Sequence, residues 1–171
     1  GSYIFSYNDT IFSLGGYGFW KTNGLLRYYI PSRREWDIVR LNKEIPLLTE
    51  NVYDLIWYDE SEQKIYYGFT KEENNITKEK QSNSNLHLEV IVLDLLKKEW
   101  TDLGSLSPFL KTNLINIRNI ISSPYGQMID LGTRTLFLNY RTNQIYRLRE
   151  SRQRQMELMP TGTGDTHTIY F

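Results

Sequence analysis

The chain of 171 residues contains no cysteine and only two histidines, His87 and His167. Without cysteine the protein has no disulfide, no thiolate nucleophile and no cysteine-ligated zinc. The two histidines have no partner at metal-ligand spacing, so we predict no metal site, no cofactor and no catalytic residue. The lack of cysteine does not decide localisation, although we favour export to the periplasm or cell surface of a bacterium.

An excess of positive charge is also absent, because 20 Lys and Arg residues balance 20 Asp and Glu residues. Nucleic-acid-binding proteins usually carry a basic excess. We therefore predict no nucleic-acid partner. No apolar run approaches the ~18 residues that a transmembrane helix requires, so we predict no membrane span either.

Aromatic residues are abundant, since they make up 14% of the sequence and include 13 tyrosines. Aromatic and β-branched side chains suit the half-buried, pleated surface of a sheet. The contents of hydrophobic residues, 40%, and of charged residues, 23%, are typical of a globular domain. The composition therefore favours an all-β protein.

A pattern of four short apolar runs joined by tight turns occurs three times, in residues 3–41, 54–103 and 126–159. Each unit ends with a run, a basic turn and a bulky residue: Ile30 and Trp36, Asp94 and Trp100, Glu150 and Met156. Residues 166–171 are interpreted as the first strand of a fourth unit. The run at 113–121 is compatible with a strand or with a short helix. We expect residues 1–171 to form one segment of repeated sheets.

Three elements of the first unit match a known blade pattern: Gly15-Gly16, Tyr28-Tyr29 and Trp36. In this pattern the chain resembles the kelch-repeat β-propellers, whose architecture galactose oxidase shares. The other units keep the motif in part, with Gly68 and Trp100 in the second and with Asn139 and Met156 in the third. The resemblance implies an all-β, kelch-like β-propeller segment of four-stranded antiparallel blades, in which Trp36 and Trp100 pack between blades. The copper site of galactose oxidase does not carry over, because it requires a cysteine and more histidines.

Three units do not close a ring, since propellers typically have about 4–8 blades. We therefore expect an incomplete ring. Two sources for the missing blades stay open, the remainder of a longer protein and a second copy of the chain. The sequence favours the longer protein.

The loops between the second and third strands of each unit are the predicted ligand site, at residues 17–23, 70–85 and 140–143. In kelch propellers these loops lie on one face. The residues that we predict to contact a ligand are Phe19, Trp20, Lys21, Asn23, Tyr140 and Arg141. Aromatic and polar groups together on a loop suit a protein or glycan ligand. We interpret the chain as a non-catalytic binding module.

Two other functions stay open. One is a carbohydrate-active enzyme, a hydrolase or lyase, on a propeller scaffold completed by the missing blades. Such an enzyme needs a cluster of carboxylates, or of His and Tyr, on the loop face. Paired carboxylates can serve glycoside hydrolysis, but no spacing sets two of the candidate acids against each other: Asp54, Asp59, Glu60 and Asp130. We expect turn and surface roles for these acids. The other function is that of a structural part of a larger surface or sensor protein.

Overall fold

A computed structural model describes residues 2–18, 21–45, 55–72, 86–105, 117–150, 156–160 and 167–168. Every helix or strand assigned within those ranges is a β-strand, and the strands form open antiparallel sheets. The described residues include no helix long and apolar enough to cross a membrane. The prediction of an all-β fold of four-stranded antiparallel units is confirmed.

The first sheet has four strands in the order β1-β2-β5-β6, and a two-stranded hairpin, β3-β4, stands beside it. The strands are β1 (Tyr3–Tyr7), β2 (Thr10–Leu14), β3 (Tyr17–Gly18), β4 (Lys21–Thr22), β5 (Leu26–Ile30) and β6 (Glu35–Val39). All of them lie within the predicted first unit.

The second sheet has four strands in the order β10-β9-β8-β7. They are β7 (Leu55–Asp59), β8 (Lys64–Glu72), β9 (Leu86–Asp94) and β10 (Glu99–Ser105). Strand β8 continues through Glu72 and so includes the first three residues of the predicted loop at 70–85. Residues 73–85 of that loop lie outside the described residues. His87 lies in β9.

The third sheet has six strands in sequential order, β11 to β16. They are β11 (Asn119–Ser123), β12 (Gly126–Asp130), β13 (Thr135–Asn139), β14 (Gln144–Glu150), β15 (Met156–Pro160) and β16 (His167–Thr168). Strands β12 to β15 are the four strands predicted for residues 126–159. The ambiguous run at 113–121 is a strand from Asn119 onwards. The described part of 166–171 is β16, which hydrogen-bonds antiparallel to β15 and extends the third sheet.

Tight turns with left-handed residues set the register of the hairpins. Asn8 and Asp9, with φ of 48° and 55°, form the two-residue turn between β1 and β2. Two successive positive φ angles match the right-handed twist of the flanking strands, and Asn and Asp tolerate them better than most residues. Four longer turns end in one left-handed residue each: Arg34, Gln63, Lys98 and Asn143.

The register divides the side chains of the first sheet between two faces, because directly paired residues project on the same side. Pairs such as Phe5 with Phe12 and Leu14 with Leu26 define the inner face. The alternate residues define the outer face, through pairs such as Arg27 with Ile38 and Tyr29 with Trp36. We use "inner face" for Phe5, Phe12, Leu14 and Leu26, and "outer face" for Ile4, Ile11, Tyr29, Trp36 and Ile38.

The chain divides into two compact units, Gly1–Phe69 with Ile91–Asp102 and Thr70–Val90 with Leu103–Phe171. In the first unit the inner face packs into one apolar core with side chains of the second sheet: Ile56, Ile65, Tyr67, Ile91, Leu93 and Trp100. The aromatic rings of Phe5 and Tyr58 lie 5.2 Å apart in this core. Burial of each large apolar side chain contributes about 1.5–3 kcal/mol.

Polar contacts align the two sheets of the first unit. The Asn42 side chain donates from Nδ2 to the carbonyl oxygen of Trp100 at 3.0 Å and accepts at Oδ1 from the Trp100 amide at 2.8 Å. The Tyr7 hydroxyl donates to Gln63 Oε1 at 3.3 Å. The two Asn42 bonds satisfy the backbone groups of Trp100 at the start of β10 and so support its position.

The second unit has its own buried sheet face. Its members are Gln127, Ile129, Leu136, Leu138 and Ile145, which the register of β12, β13 and β14 places on one side of the third sheet. In β12 the burial alternates toward this face, whereas in β13 Phe137 on the opposite face is buried as well.

The two tryptophans of the blade pattern have different environments. Trp36 and Trp100 are each the second residue of a strand that follows a four-residue turn. Trp100 is 2% exposed and Trp36 is 44% exposed. The predicted packing is confirmed for Trp100 as packing between the first and second sheets, and it is wrong for Trp36 in the single chain. The physical reason is that Trp100 lies against the first sheet, whereas Trp36 lies on the outer face.

Replacing each of these tryptophans by alanine provides a matched comparison. We expect Trp100→Ala to lower the free energy of unfolding by about 3–5 kcal/mol, because it leaves a cavity in the core. Trp36 contacts Tyr29 with ring centroids 5.3 Å apart, and we expect Trp36→Ala to cost below about 1.5 kcal/mol. Urea unfolding of dilute protein, followed by far-ultraviolet circular dichroism, measures both. Equal losses would contradict the assignment of the core.

Candidate functional site

The connection between β2 and β5 begins with the double glycine of the blade pattern. Gly15 and Gly16 have φ of 72° and 117°, in the left-handed region that side chains disfavour. The Gly15 amide donates to the Leu25 carbonyl at 2.9 Å, and the Asn23 amide donates to the Gly16 carbonyl at 2.9 Å. The two bonds close the base of the loop, so the chain leaves β2 and returns to β5 at a defined spacing.

A short hairpin rises from this base. Tyr17 pairs with Thr22 and Gly18 pairs with Lys21, which makes β3 and β4 antiparallel neighbours. Lys21, a predicted ligand residue, is thus placed in β4. Phe19 and Trp20, which stand between β3 and β4 in the sequence, lie outside the described residues.

Asn23 and Arg27 brace the loop from within. Asn23 Oδ1 accepts from the Leu25 amide at 3.2 Å and from Arg27 Nη2 at 3.3 Å. Arg27 Nη1 also donates to the Gly15 carbonyl at 3.4 Å. Sequence reasoning selected Asn23 as a ligand contact and missed Arg27. In the structure Asn23 is only partly exposed, and its side-chain oxygen is engaged within the loop.

Gly24 gives the loop a second support. A Cβ at this position would lie 2.1 Å from Cγ1 of Ile45, which is buried in the core of the first unit. Only a residue without a side chain allows this approach. The signal in the sequence is a glycine directly before an apolar strand, and it identifies close packing but not the partner.

The corresponding connection of the third sheet is a tight turn that contains Tyr140 and Arg141. Tyr140 is 1% exposed, and its hydroxyl donates to Gln127 Oε1 at 2.7 Å. Burial raises the pKa of the Tyr140 hydroxyl far above its ordinary value of 10.0. Arg141 is exposed and donates from Nη2 to the Pro124 carbonyl at 3.5 Å. The ring of Tyr140 therefore supports the turn from below, and Arg141 is the residue of this pair at the surface.

Of the four candidate acids, Asp59 and Asp130 serve turns, Glu60 is exposed in the turn after β7, and Asp54 lies outside the described residues. Asp59 Oδ1 accepts from the Ser61 amide, the Ser61 hydroxyl and the Glu62 amide at 3.1, 2.8 and 3.2 Å. Asp130 Oδ1 accepts from the Gly132 amide at 2.7 Å. Side chains of this type commonly bond to backbone amides two or three residues later. Among the described residues, no group of three His, Asp or Glu side chains is arranged to hold a metal ion.

The structure thus places two predicted residues, Lys21 and Asn23, in one braced loop of the first unit. Tyr140 and Arg141 lie in a turn of the second unit. Comparison with known proteins found no matching family model and no curated protein with significant sequence similarity.

The brace at Asn23 yields a prediction on local stability. We expect Asn23→Ala to cost about 1–2 kcal/mol, because it removes the acceptor of the Leu25 amide and of Arg27. Asn23→Asp keeps an acceptor beside the guanidinium and should retain most of the stability. Amide hydrogen exchange at Leu25 and urea unfolding measure the two effects. Unchanged exchange in Asn23→Ala would show that the bond does not hold the loop.

Tyr140 yields a prediction on pH dependence. The pKa of Tyr140 is higher in the folded state than in the unfolded state. Its contribution to the free energy of unfolding is therefore fully present below pH 10.0 and is lost as the pH rises above the unfolded-state pKa. Above that pH we expect the wild type to lose up to about 1.4 kcal/mol per pH unit more than Tyr140→Phe. Urea unfolding of both proteins at pH 8 to 11 (roughly the range around the tyrosine pKa) measures the difference. The exposed Tyr125 provides the control, since Tyr125→Phe should follow the wild type.

Proposed function

We propose that the chain is a kelch-like propeller segment that acts as a non-catalytic binding module. The hairpin between β2 and β5 is the part that contacts the ligand, a protein or a glycan. The observation that supports this proposal most directly is the braced base of the loop. Two backbone bonds, the side chains of Asn23 and Arg27 and the close approach at Gly24 all hold it.

A braced loop suits binding because the conformational entropy of the loop is already lost when the protein folds, and not when the ligand binds. Side chains on a preorganised support lose less conformational entropy when a ligand arrives. The sequence of this loop, YGFWKTN, supplies two large aromatic side chains and a lysine in consecutive positions, Phe19, Trp20 and Lys21. Tryptophan and tyrosine dominate the energetics of many binding surfaces.

The kelch-like assignment is supported by the arrangement of strands. In the first unit a sheet of four antiparallel strands carries its double glycine at the end of the second strand and its tryptophan in the fourth. The second sheet repeats the order, with Gly68 in its second strand and Trp100 in its fourth. Blades of this kind present the connection between their second and third strands at one end, where the hairpin stands.

The proposal is tested by glycan-array screening, followed by calorimetry with the best-bound sugar. We expect Trp20→Ala to weaken binding by roughly 30-fold or more, because removal of a central aromatic typically costs about 2 kcal/mol or more. Tyr125→Ala, at an exposed aromatic in the turn between β11 and β12, is the matched control and should bind normally.

If the ligand is a protein, crosslinking identifies it. Binding of the same two variants to the purified partner is then measured. Full binding by Trp20→Ala to its best sugar or purified partner would contradict the role of the hairpin. A chain that binds no glycan on the array and no purified partner would contradict the proposal as a whole.

A further inference from the structure

The outer face of the first sheet is an exposed apolar surface. It carries four of the eight large hydrophobic side chains that are exposed among the described residues: Ile4, Ile11, Trp36 and Ile38. Cross-strand pairing places the Tyr29 ring against Trp36, at 5.3 Å between centroids. Ser6, Ser13 and Arg27 share this face. Large exposed apolar patches on monomeric proteins commonly mark interaction sites.

The equivalent face of the second sheet is covered. The residue after the first turn is Thr10 in the first sheet and Lys64 in the second, so Ile11 and Ile65 occupy the same position. Ile11 is 49% exposed, whereas Ile65 is 0% exposed. Ile65 is covered because the inner face of the first sheet packs into the same core. At this position the outer face therefore carries the same apolar residue that the second sheet buries.

The same comparison holds at two further positions. Counted back from the first turn, Ile4 is equivalent to Ile56, which is buried in the core of the first unit. Trp36 is equivalent to Trp100, which lies in that core as well. Ile4, Ile11 and Trp36 thus have counterparts that the inner face covers, whereas the counterpart of Ile38 is the exposed Asp102.

The third sheet carries a face equivalent to the inner face of the first sheet. Counted from the first turn, Met128 is equivalent to Phe5 and Phe137 to Phe12. Tyr146 pairs with Phe137 on the same side, and their ring centroids lie 6.3 Å apart. Leu148, two residues further along β14, shares this side. We call these four residues the covering face; Met128, Tyr146 and Leu148 are half-buried, and Phe137 is 7% exposed.

We propose that the outer face of the first sheet binds the covering face of the third sheet of a second copy of this chain. The contact is formed twice, once in each direction, which gives a dimer with two-fold symmetry. Head-to-tail contacts close into a ring when their rotation permits it. A second copy is the occupant because this chain itself supplies a face of the required type.

Sedimentation equilibrium over a concentration series tests the proposal. We expect a dimer of the 20.3 kDa chain. Ile11→Asp places a charge in the centre of the outer face, and Leu148→Asp places one on the covering face. Each should raise the dimer dissociation constant by about tenfold or more, since an unpaired charge is costly to bury. Leu96→Asp, in an exposed turn, is the control and should dimerise normally.

A mixture of the two variants distinguishes the proposed contact, which joins an outer face to a covering face, from a contact between two like faces. In the mixture, Ile11→Asp still offers an intact covering face, and Leu148→Asp still offers an intact outer face. One of the two contacts can form, so the mixture should dimerise more tightly than either variant alone. Circular dichroism and thermal unfolding at low concentration verify that each variant folds.

Three results would overturn the proposal. The first is a wild-type chain that is monomeric at every concentration reached. The second is normal dimerisation of either folded variant. The third is a mixture that associates no better than its components, which would indicate that like faces pair.

Discussion

The packing of the inner face of the first sheet against the second sheet is the interaction on which the first unit depends. It buries Phe5, Leu14 and Leu26 together with Ile65 and Trp100 in one core. A single twisted four-stranded sheet has two faces and cannot bury either alone. The sheets therefore stabilise one another, and the bonds between Asn42 and Trp100 add alignment to an attraction that has no direction of its own.

This packing requires that every strand keep its register, since a slip of one residue would exchange the two faces. The turns supply that control. Asn8 and Asp9 form a two-residue turn of the kind that hairpins favour, and the left-handed Gln63 ends the equivalent turn of the second sheet. Local turn chemistry thus helps to decide which side chains reach the core.

The first sheet carries both the residues that hold the loop between β2 and β5 and the outer face. Asn23 and Arg27 bond to one another and to backbone groups at the base of the loop, and Gly24 packs against Ile45. The outer face lies on β1, β2, β5 and β6 of the same sheet, and Arg27 belongs both to the base of the loop and to this face, because it pairs with Ile38 there. Substitutions at Ile11 and in the hairpin test the two proposed surfaces separately because neither changes Arg27.

Positions of strands and turns were predictable from the sequence, because alternating apolar residues and turn-forming residues act locally. The four-strand pattern and the turn at Asn8-Asp9 belong to this class. Burial was not predictable, because it depends on what another sheet covers. Trp36 and Trp100 hold the same place in their repeats, yet only Trp100 is covered in the single chain. Tyr140 lies in a predicted ligand loop and is buried, and its hydroxyl donates a hydrogen bond to the buried Gln127. Local chemistry assigned each residue to a strand or a turn, and contacts between distant segments assigned it to a core or a surface.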